Sequence, residues 1–205
     1  MTARRVVLWR HGRTGHNLHG IWQGQTDVPL DDVGRLQAKA AAPLIAAEFL
    51  DGEPAAVVSS DLARAADTAA ALAEVTGLPV SLDARLRETY AGRWEGLTRS
   101  QIVAAGWAAE FEAWRRGDDV TAGGGERRTE VGMRGATAVR EHAEAMDGGT
   151  LVVVAHGGVL RGTVLTLLGL EPGRWGLLGG LANCEWGRMA PGLPTWRLLG
   201  YALHA

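Results

Sequence analysis

The chain has 205 residues, 46% of them hydrophobic and 21% charged, with a formal net charge of -2. That balance is one of an ordinary globular protein with a full core, and it gives no global basic field to draw nucleic acid or a membrane surface. The single Cys184 excludes an internal disulfide and any multi-cysteine zinc site.

In chain order, Val6-Val7-Leu8-Trp9 runs straight into Arg10-His11-Gly12. A short apolar run closed by glycine reads as a buried strand of a parallel sheet, and ligands of such sheets bind just beyond the strands' carboxyl ends. Gly12 is expected to let the backbone turn there and come close to a ligand. A polar loop follows from Gly12 to Pro29, with Thr14, His16, Asn17, His19, Trp22, Gln23 and Asp27. A loop of that length with aromatic and amide side chains reads as functional. Asp31 or Asp32 caps a helix to about Phe49, with Val33, Leu36, Ala40, Leu44 and Ala47 on its inner face and a kink or break at Pro43.

Ala55–Ser59 reads as the next strand, and Ser59-Ser60-Asp61 as the cap of a helix from Leu62 to Thr76 whose first turn carries Arg64. Gly77 ends it, and Pro79–Leu82 makes a third strand. This alternation implies a mostly parallel sheet. The stretch Arg85–Gly96 mixes charges, aromatics and glycines without period and reads as a functional loop around Glu88. Thr98 caps a short helix, Trp107–Arg116 forms another, Gly117–Gly125 is a flexible connection, and Arg127–Met146 is a long helix with a solvated His142. Thr150–Ala155 is a continuous apolar run, hence a central strand. It ends in His156-Gly157-Gly158 and opens a helix from Val159 to Leu168. Trp186 and Trp196, on either side of Ala190-Pro191-Gly192, mark an antiparallel hairpin at the sheet edge. Arg4 and Arg5 precede an apolar run too short for a signal peptide, and no stretch is long enough to span a bilayer, so a cytoplasmic protein is expected.

Arg10-His11, Arg64, Glu88 and His156 are thus expected to converge at one sheet edge. Neutral imidazole is a nucleophile for phosphorus, provided its other ring nitrogen is held by a fixed partner. Guanidinium groups, a protonated His156 and helix N-termini match the charge on phosphoryl oxygens. A carboxylic acid such as Glu88 protonates the leaving oxygen. Each residue also has a plainer reading. Arg64 could pair with Asp61 or Asp67, Glu88 could bridge Arg85 or Arg87, and His156 could be a core histidine. A metal reading of His11, His16 and His19 with Asp27 lacks the i, i+4 spacing of a helical zinc site, and no Gly-Lys-Ser/Thr follows Gly12, which excludes a Walker loop.

Taken together the motifs resemble the histidine phosphatase, or phosphoglycerate mutase-like, superfamily over nearly the whole chain. Arg10-His11-Gly12 with Thr14 and Asn17 is similar to its signature loop. Ser59–Ala65 with Thr68-Ala69 is similar to the segment bearing its second arginine. Leu86-Arg87-Glu88 with Gly92 and Trp94-Glu95-Gly96 resembles its acid loop, and Ala155-His156-Gly157-Gly158 its second histidine motif. The resemblance implies an α/β fold: a three-layer α/β/α sandwich, with a mostly parallel central sheet and an antiparallel edge strand, forming a single domain over 1–205. It implies His11 as the phosphorylated nucleophile, Glu88 as the proton donor, and Arg10, Arg64 and His156 as the rest of the phosphate pocket. Asn17, Gln23, Thr14 and Gly157 are expected to bind substrate, with no cofactor and no metal. A small phosphorylated metabolite is the expected partner, with no nucleic acid or membrane, and a homodimer is left open.

Arg13 departs from the family pattern, which commonly has Glu or Gln there, and is expected either to favour an anionic substrate or to face solvent. The acid loop Glu88-Thr89-Tyr90-Ala91-Gly92 lacks the arginine of the mutases, and the following segment is short, which favours a phosphatase. Arg85–Thr89, Trp94, Gly96–Thr98, Gln101-Ile102, Leu178–Gly180, Asn183 and Trp186 resemble one bacterial phosphatase branch. The competing class is a phospho-ligand-binding regulator without catalysis.

Overall fold

The computed structural model describes residues 2–192 and 194–205. Its elements are β1 (Arg5–Arg10), a single helical turn α1 (Gly15–Leu18), α2 (Asp32–Ala46), β2 (Ala55–Ser59), α3 (Ala63–Thr76), β3 (Val80–Leu82), α4 (Arg99–Ile102), α5 (Ala108–Arg116), α6 (Arg128–Glu144), β4 (Thr150–Ala155), α7 (Gly157–Leu167), β5 (Trp186–Ala190) and β6 (Arg197–Leu203). The sheet order is β3-β2-β4-β1-β5-β6. The first four strands run parallel, and β5 and β6 are antiparallel.

Side chains alternate across the central strands, so each face needs its own cover. Val6, Leu8, Leu151 and Val153 pack against α6 and α7 through Val139, Val159 and Leu160. Val7, Trp9, Val152 and Val154 pack on the other side against α2 and α3 through Ala41, Ile45, Ala69 and Leu72. The result is the expected α/β/α sandwich. A third cluster, Trp94, Ile102, Phe111 and Trp114 with Ala91 and Ala122, stands apart from the sheet and gathers the segment between β3 and α6 into a cap.

The buried stripe of α2 is Gly34, Ala38, Ala41, Ala42 and Ile45. Val33, Leu36 and Leu44 are exposed, contrary to the expected face. Small residues let α2 lie close to α3, and the larger apolar side chains fall on the outer side. The helix runs through Pro43 without a break. The ring is exposed, and the Pro43 carbonyl still accepts from Ala47 N at 3.0 Å. Gly117–Gly125 is packed rather than flexible. Ala122 is fully buried, and the Gly123 carbonyl accepts from Arg93 N at 3.0 Å. His142 is half-buried and bonds Asp83 at 3.0 Å, where it had been expected in solvent.

Candidate active site

Parallel pairing decides where the chemistry sits. Arg10 is in register with Ala155, so the next residue on each strand, His11 and His156, leaves the sheet side by side. Their ring centroids are 5.1 Å apart. On the far side of β4, Ser60 N donates to the Val154 carbonyl, which brings the start of the β2–α3 connection to the same edge.

His11 is buried, and its Nδ1 lies 2.7 Å from the Gly12 carbonyl. A carbonyl only accepts, so Nδ1 carries the proton and Nε2 the lone pair. Burial, with the neighbouring Arg10 and Arg64 cations, holds the imidazole well below the usual histidine range, against the pull of the Gly12 carbonyl. His11 is therefore neutral at pH 7.

Arg64 is fully buried, and all three of its nitrogens are committed. Nη1 donates to the Thr26 carbonyl at 2.9 Å, Nη2 to the Gly24 carbonyl at 2.8 Å, and Nε to His156 Nδ1 at 3.1 Å. It pairs with neither Asp61 nor Asp67. Asp61 is taken by Arg87, and it does not cap α3. That helix instead receives a bond from outside, Ala63 N donating to Asp27 Oδ1 at 2.8 Å. His156 accepts from Arg64 through Nδ1, so Nε2 is its protonated nitrogen and donates to Ser60 Oγ at 2.8 Å. Burial first, then the Arg64 charge, depresses its pKa well below the ordinary value. The expected protonated His156 is thus corrected: a ring nitrogen accepting from a guanidinium has no proton to give, and the residue is neutral.

Glu88 bridges neither Arg85 nor Arg87. Its carboxylate accepts from Gly158 N at 2.9 Å, Val159 N at 3.1 Å and its neighbour Thr89 N at 2.8 Å. The N-terminus of α7 holds it, as helix N-termini hold anions. A Cβ on Gly158 would lie 2.4 Å from Glu88 Oε1, so only glycine admits the carboxylate there. Gly12 is required for a different reason than expected. A Cβ there would meet the Gly34 carbonyl at 2.4 Å, so the close approach is to α2 rather than to a ligand.

A cavity of about 350 Å³ opens over this floor. Arg10, His11, Asn17, Gln23, Arg64 and Glu88 line it, as expected from the sequence. Three other expected residues do not. Thr14 is fully buried. Its hydroxyl caps α1, accepting from Asn17 N at 3.1 Å, and donates to Gln23 Oε1 at 2.8 Å, so it positions two lining residues instead of touching substrate. Gly157 packs against the Arg10 guanidinium, and His156 lies beneath Arg64. Arg13 turns away to Asp31, with Nε 2.8 Å from the carboxylate, and is no part of the cavity wall. Burial lowers the pKa of both Arg10 and Arg64. Two guanidinium groups beside one carboxylate leave the floor short of negative charge, which an arriving phosphate supplies.

His11, His16 and His19 do not converge. His16 lines the cavity, while His19 is exposed. Sequence reasoning passed over several residues. The Gly24 and Thr26 carbonyls fix Arg64, and Ser60 fixes His156. Asn183 Nδ2 reaches the His11 carbonyl at 3.1 Å and Asn17 Oδ1 at 3.2 Å. Trp114 and Arg128 bring the cap to the cavity wall. Carbonyls carry no sequence signal, Asn183 enters the sequence reading only through its likeness to one bacterial branch with no role attached, and Trp114 and Arg128 lie outside every motif.

This geometry belongs to a class. The model of the histidine phosphatase superfamily (branch 1) matches residues 6–203, and the chain belongs to that family. It is 42% identical to the glucosyl-3-phosphoglycerate phosphatase of Mycobacterium tuberculosis, over 97% of this chain and 94% of the relative. It is 36% identical to a metal-independent phosphoserine phosphatase of Arabidopsis thaliana, over 79% and 68%. Among solved structures, a mycobacterial glucosyl-3-phosphoglycerate phosphatase complexed with VO3 superposes with a TM-score of 0.90 at 40% identity, covering 98% of this chain and 99% of that one.

Proposed function

We propose that the chain is a phosphoric monoester hydrolase of one domain, working through a phosphohistidine without a metal. The observation that carries this is the Nδ1 bond of His11 to the Gly12 carbonyl, which leaves Nε2 unprotonated in a cation-rich cavity. In the first step the Nε2 lone pair forms a bond to phosphorus, and the bond to the leaving oxygen breaks. Glu88 takes a proton from the arriving phosphate monoester and delivers it to that oxygen, releasing the alcohol. In the second step water attacks the phosphohistidine, Glu88 takes the proton, and phosphate leaves with the imidazole restored. Arg10 and Arg64 hold the phosphoryl oxygens through both steps, and Arg64 can do so only from its fixed pose. His156 and Ser60 act through Arg64 as positioning residues. Asn17 and Gln23 bind the substrate.

The substrate is a small phosphorylated metabolite. The named relatives support glucosyl-3-phosphoglycerate or a broader set of phosphate monoesters as its finer identity. Among the described residues no helix is long and apolar enough to cross a membrane. The test is direct. Enzyme quenched with an activated aryl phosphate should carry acid-labile phosphate on His11, His11→Ala should carry none, and steady-state turnover should survive a strong chelator. Activity lost on chelation and restored by a divalent ion would overturn the proposal. So would phosphate released stoichiometrically with no labelled protein at any time of quench. Transfer of the phosphoryl group to a second phosphoglycerate hydroxyl, in preference to water, would make the enzyme a mutase instead.

A further inference from the structure

The start of α6, against the cap, places a third guanidinium at the cavity wall, and nothing in the phosphoryl chemistry uses it. Arg128 opens α6 and lies over the ring of Trp114, its Cζ 3.9 Å from the ring centroid. Its Nη2 donates to the Trp114 carbonyl at 2.8 Å, and its Nε is buried with no hydrogen-bond partner among the described residues. Glu88 and Asp119 act on it only through space, with no side-chain hydrogen bond to either. Asp119 spends its oxygens on Thr129 N and Oγ1. A neighbouring cation, Arg161, lines the narrow recess that adjoins the main cavity at Thr89, Trp114, Arg128 and Gly158. Its Nε is likewise buried without a hydrogen-bond partner among the described residues. Burial and the Arg161 charge bring the Arg128 pKa down to about 10, so it stays cationic at pH 7.

A half-buried guanidinium with no carboxylate on it, next to another guanidinium, is an unbalanced charge. Here it faces the cavity that holds His11. The stack on Trp114 and the carbonyl bond fix the plane of the fork, and a fixed fork is what bidentate carboxylate recognition needs. Building on the phosphatase reading, we infer that Arg128 is a specificity residue that binds a second anionic group of the substrate, a carboxylate on the leaving group, and so selects phosphorylated acids over neutral phosphate monoesters. Arg13, the positive charge that the sequence offered for this role, is neutralised by Asp31 away from the cavity.

The experiment compares two esters of one skeleton, 3-phosphoglycerate and glycerol 3-phosphate, which differ in a carboxylate against a hydroxymethyl. The readout is the ratio of their kcat/KM values. In the wild-type enzyme the acid should be preferred, and Arg128→Gln should lower that ratio by about ten- to a hundredfold, the worth of one charge-assisted pair. Most of the change should fall in KM. Arg128→Lys, which keeps the charge without the fork, should restore only part of the preference. A ratio unchanged in Arg128→Gln would overturn the inference, as would equal losses on both esters. Calorimetric binding of the two esters to His11→Ala, with and without Arg128→Gln, reads the same preference without turnover. A protein that binds the acid preferentially through Arg128 but never releases phosphate would sink the phosphatase reading alone. One that releases phosphate with no Arg128-dependent preference would sink this inference alone.

Discussion

The floor of the cavity and its cap are built from different forces. The floor is polar and buried. His11, Arg64 and His156 are linked or locked by hydrogen bonds to one another, to Ser60 and to the carbonyls of Gly12, Gly24 and Thr26. The cap is aromatic. Trp22 and Trp94 meet edge to face at 5.3 Å, and Phe111 lies 5.4 Å from Trp94 and 5.8 Å from Trp22. Such pairs contribute about 0.5–1.5 kcal/mol each beyond the area they bury, and they are tolerant of small shifts. A charge-assisted bond to a buried arginine is not tolerant, because breaking it leaves an unsatisfied charge. The floor is therefore suited to chemistry that repeats unchanged, and the cap to fitting the remainder of the substrate. Variants in the floor should change the reaction for every substrate. Variants in the cap should change which substrates are taken.

Glu88 tests this division most severely, because it is held by the floor and its loop runs directly into the cap. Both of its oxygens accept from backbone N–H groups, so Glu88→Gln removes the transferable proton and also turns an NH2 toward a donor. Loss of the proton should matter only for a poor leaving group, whereas loss of position should matter for all. We expect kcat/KM on an alkyl phosphate to fall by about 10²–10⁴, with a much smaller loss in the burst phase of an activated aryl phosphate. Equal losses in the two phosphorylation steps would make Glu88 a positioning residue, and the proton donor would have to be sought elsewhere.

Arg64→Ala comes next. It removes the guanidinium that joins the β2–α3 edge to His156, and it should cost about two to three orders of magnitude in kcat/KM on alkyl and aryl esters alike. Arg64→Lys should recover little, since an ammonium cannot reproduce three bonds in one plane. A loss confined to bulky substrates would mean that Arg64 serves the cap, and the division would fail.

How much of this was readable in the chain follows from the same contrast. The floor sits at strand ends, and strand ends are announced by short apolar runs closing on glycine. Arg10-His11-Gly12 and His156-Gly157-Gly158 were therefore legible, and so was the sheet between them. The cap has no such punctuation. Trp22, Trp94, Phe111 and Trp114 are scattered over many residues, and only the fold makes them neighbours. Arg128 was legible only as the start of a helix. The partners that decide protonation, the Gly12 carbonyl for His11 and the Arg64 Nε for His156, are set by the fold, which is why the sequence left His156 between a phosphate-binding cation and a core histidine and the structure makes it neutral. The inner face of α2 was misread because all its buried residues but Ile45 are alanine or glycine, and apolar periodicity gives those little weight.

The smallest expected effect concerns stability, and its sign follows from the two neutral histidines. Both His11 and His156 have pKa values pushed below the ordinary 6.5 by burial and nearby arginines. In the unfolded chain they take up protons as the pH falls through about 6.5, and in the folded chain they do not. Their contribution to stability is thus complete above that value and declines as the pH falls below it. The slope is at most about 1.4 kcal/mol per pH unit for each histidine, until the folded values are reached. The aspartates with lowered pKa values, Asp31, Asp61 and Asp83, stabilise above their unfolded value of 3.8 and lose that contribution only as the pH falls through their folded values. Over the interval from pH 6.5 to 5 the histidines therefore dominate, with Glu126, lowered from the ordinary 4.5, adding only at the acid end. Urea unfolding across it should show a steepening loss, and His156→Gln should remove close to half of that slope whatever it does to the absolute stability. Hydrogen exchange then separates the two regions. Amides of β1 and β4 should lose protection with the global slope, while cap amides that open locally, around the aromatic cluster that holds no histidine, should keep theirs. A cap that loosens in step with the floor over this interval would mean that the two open as one unit.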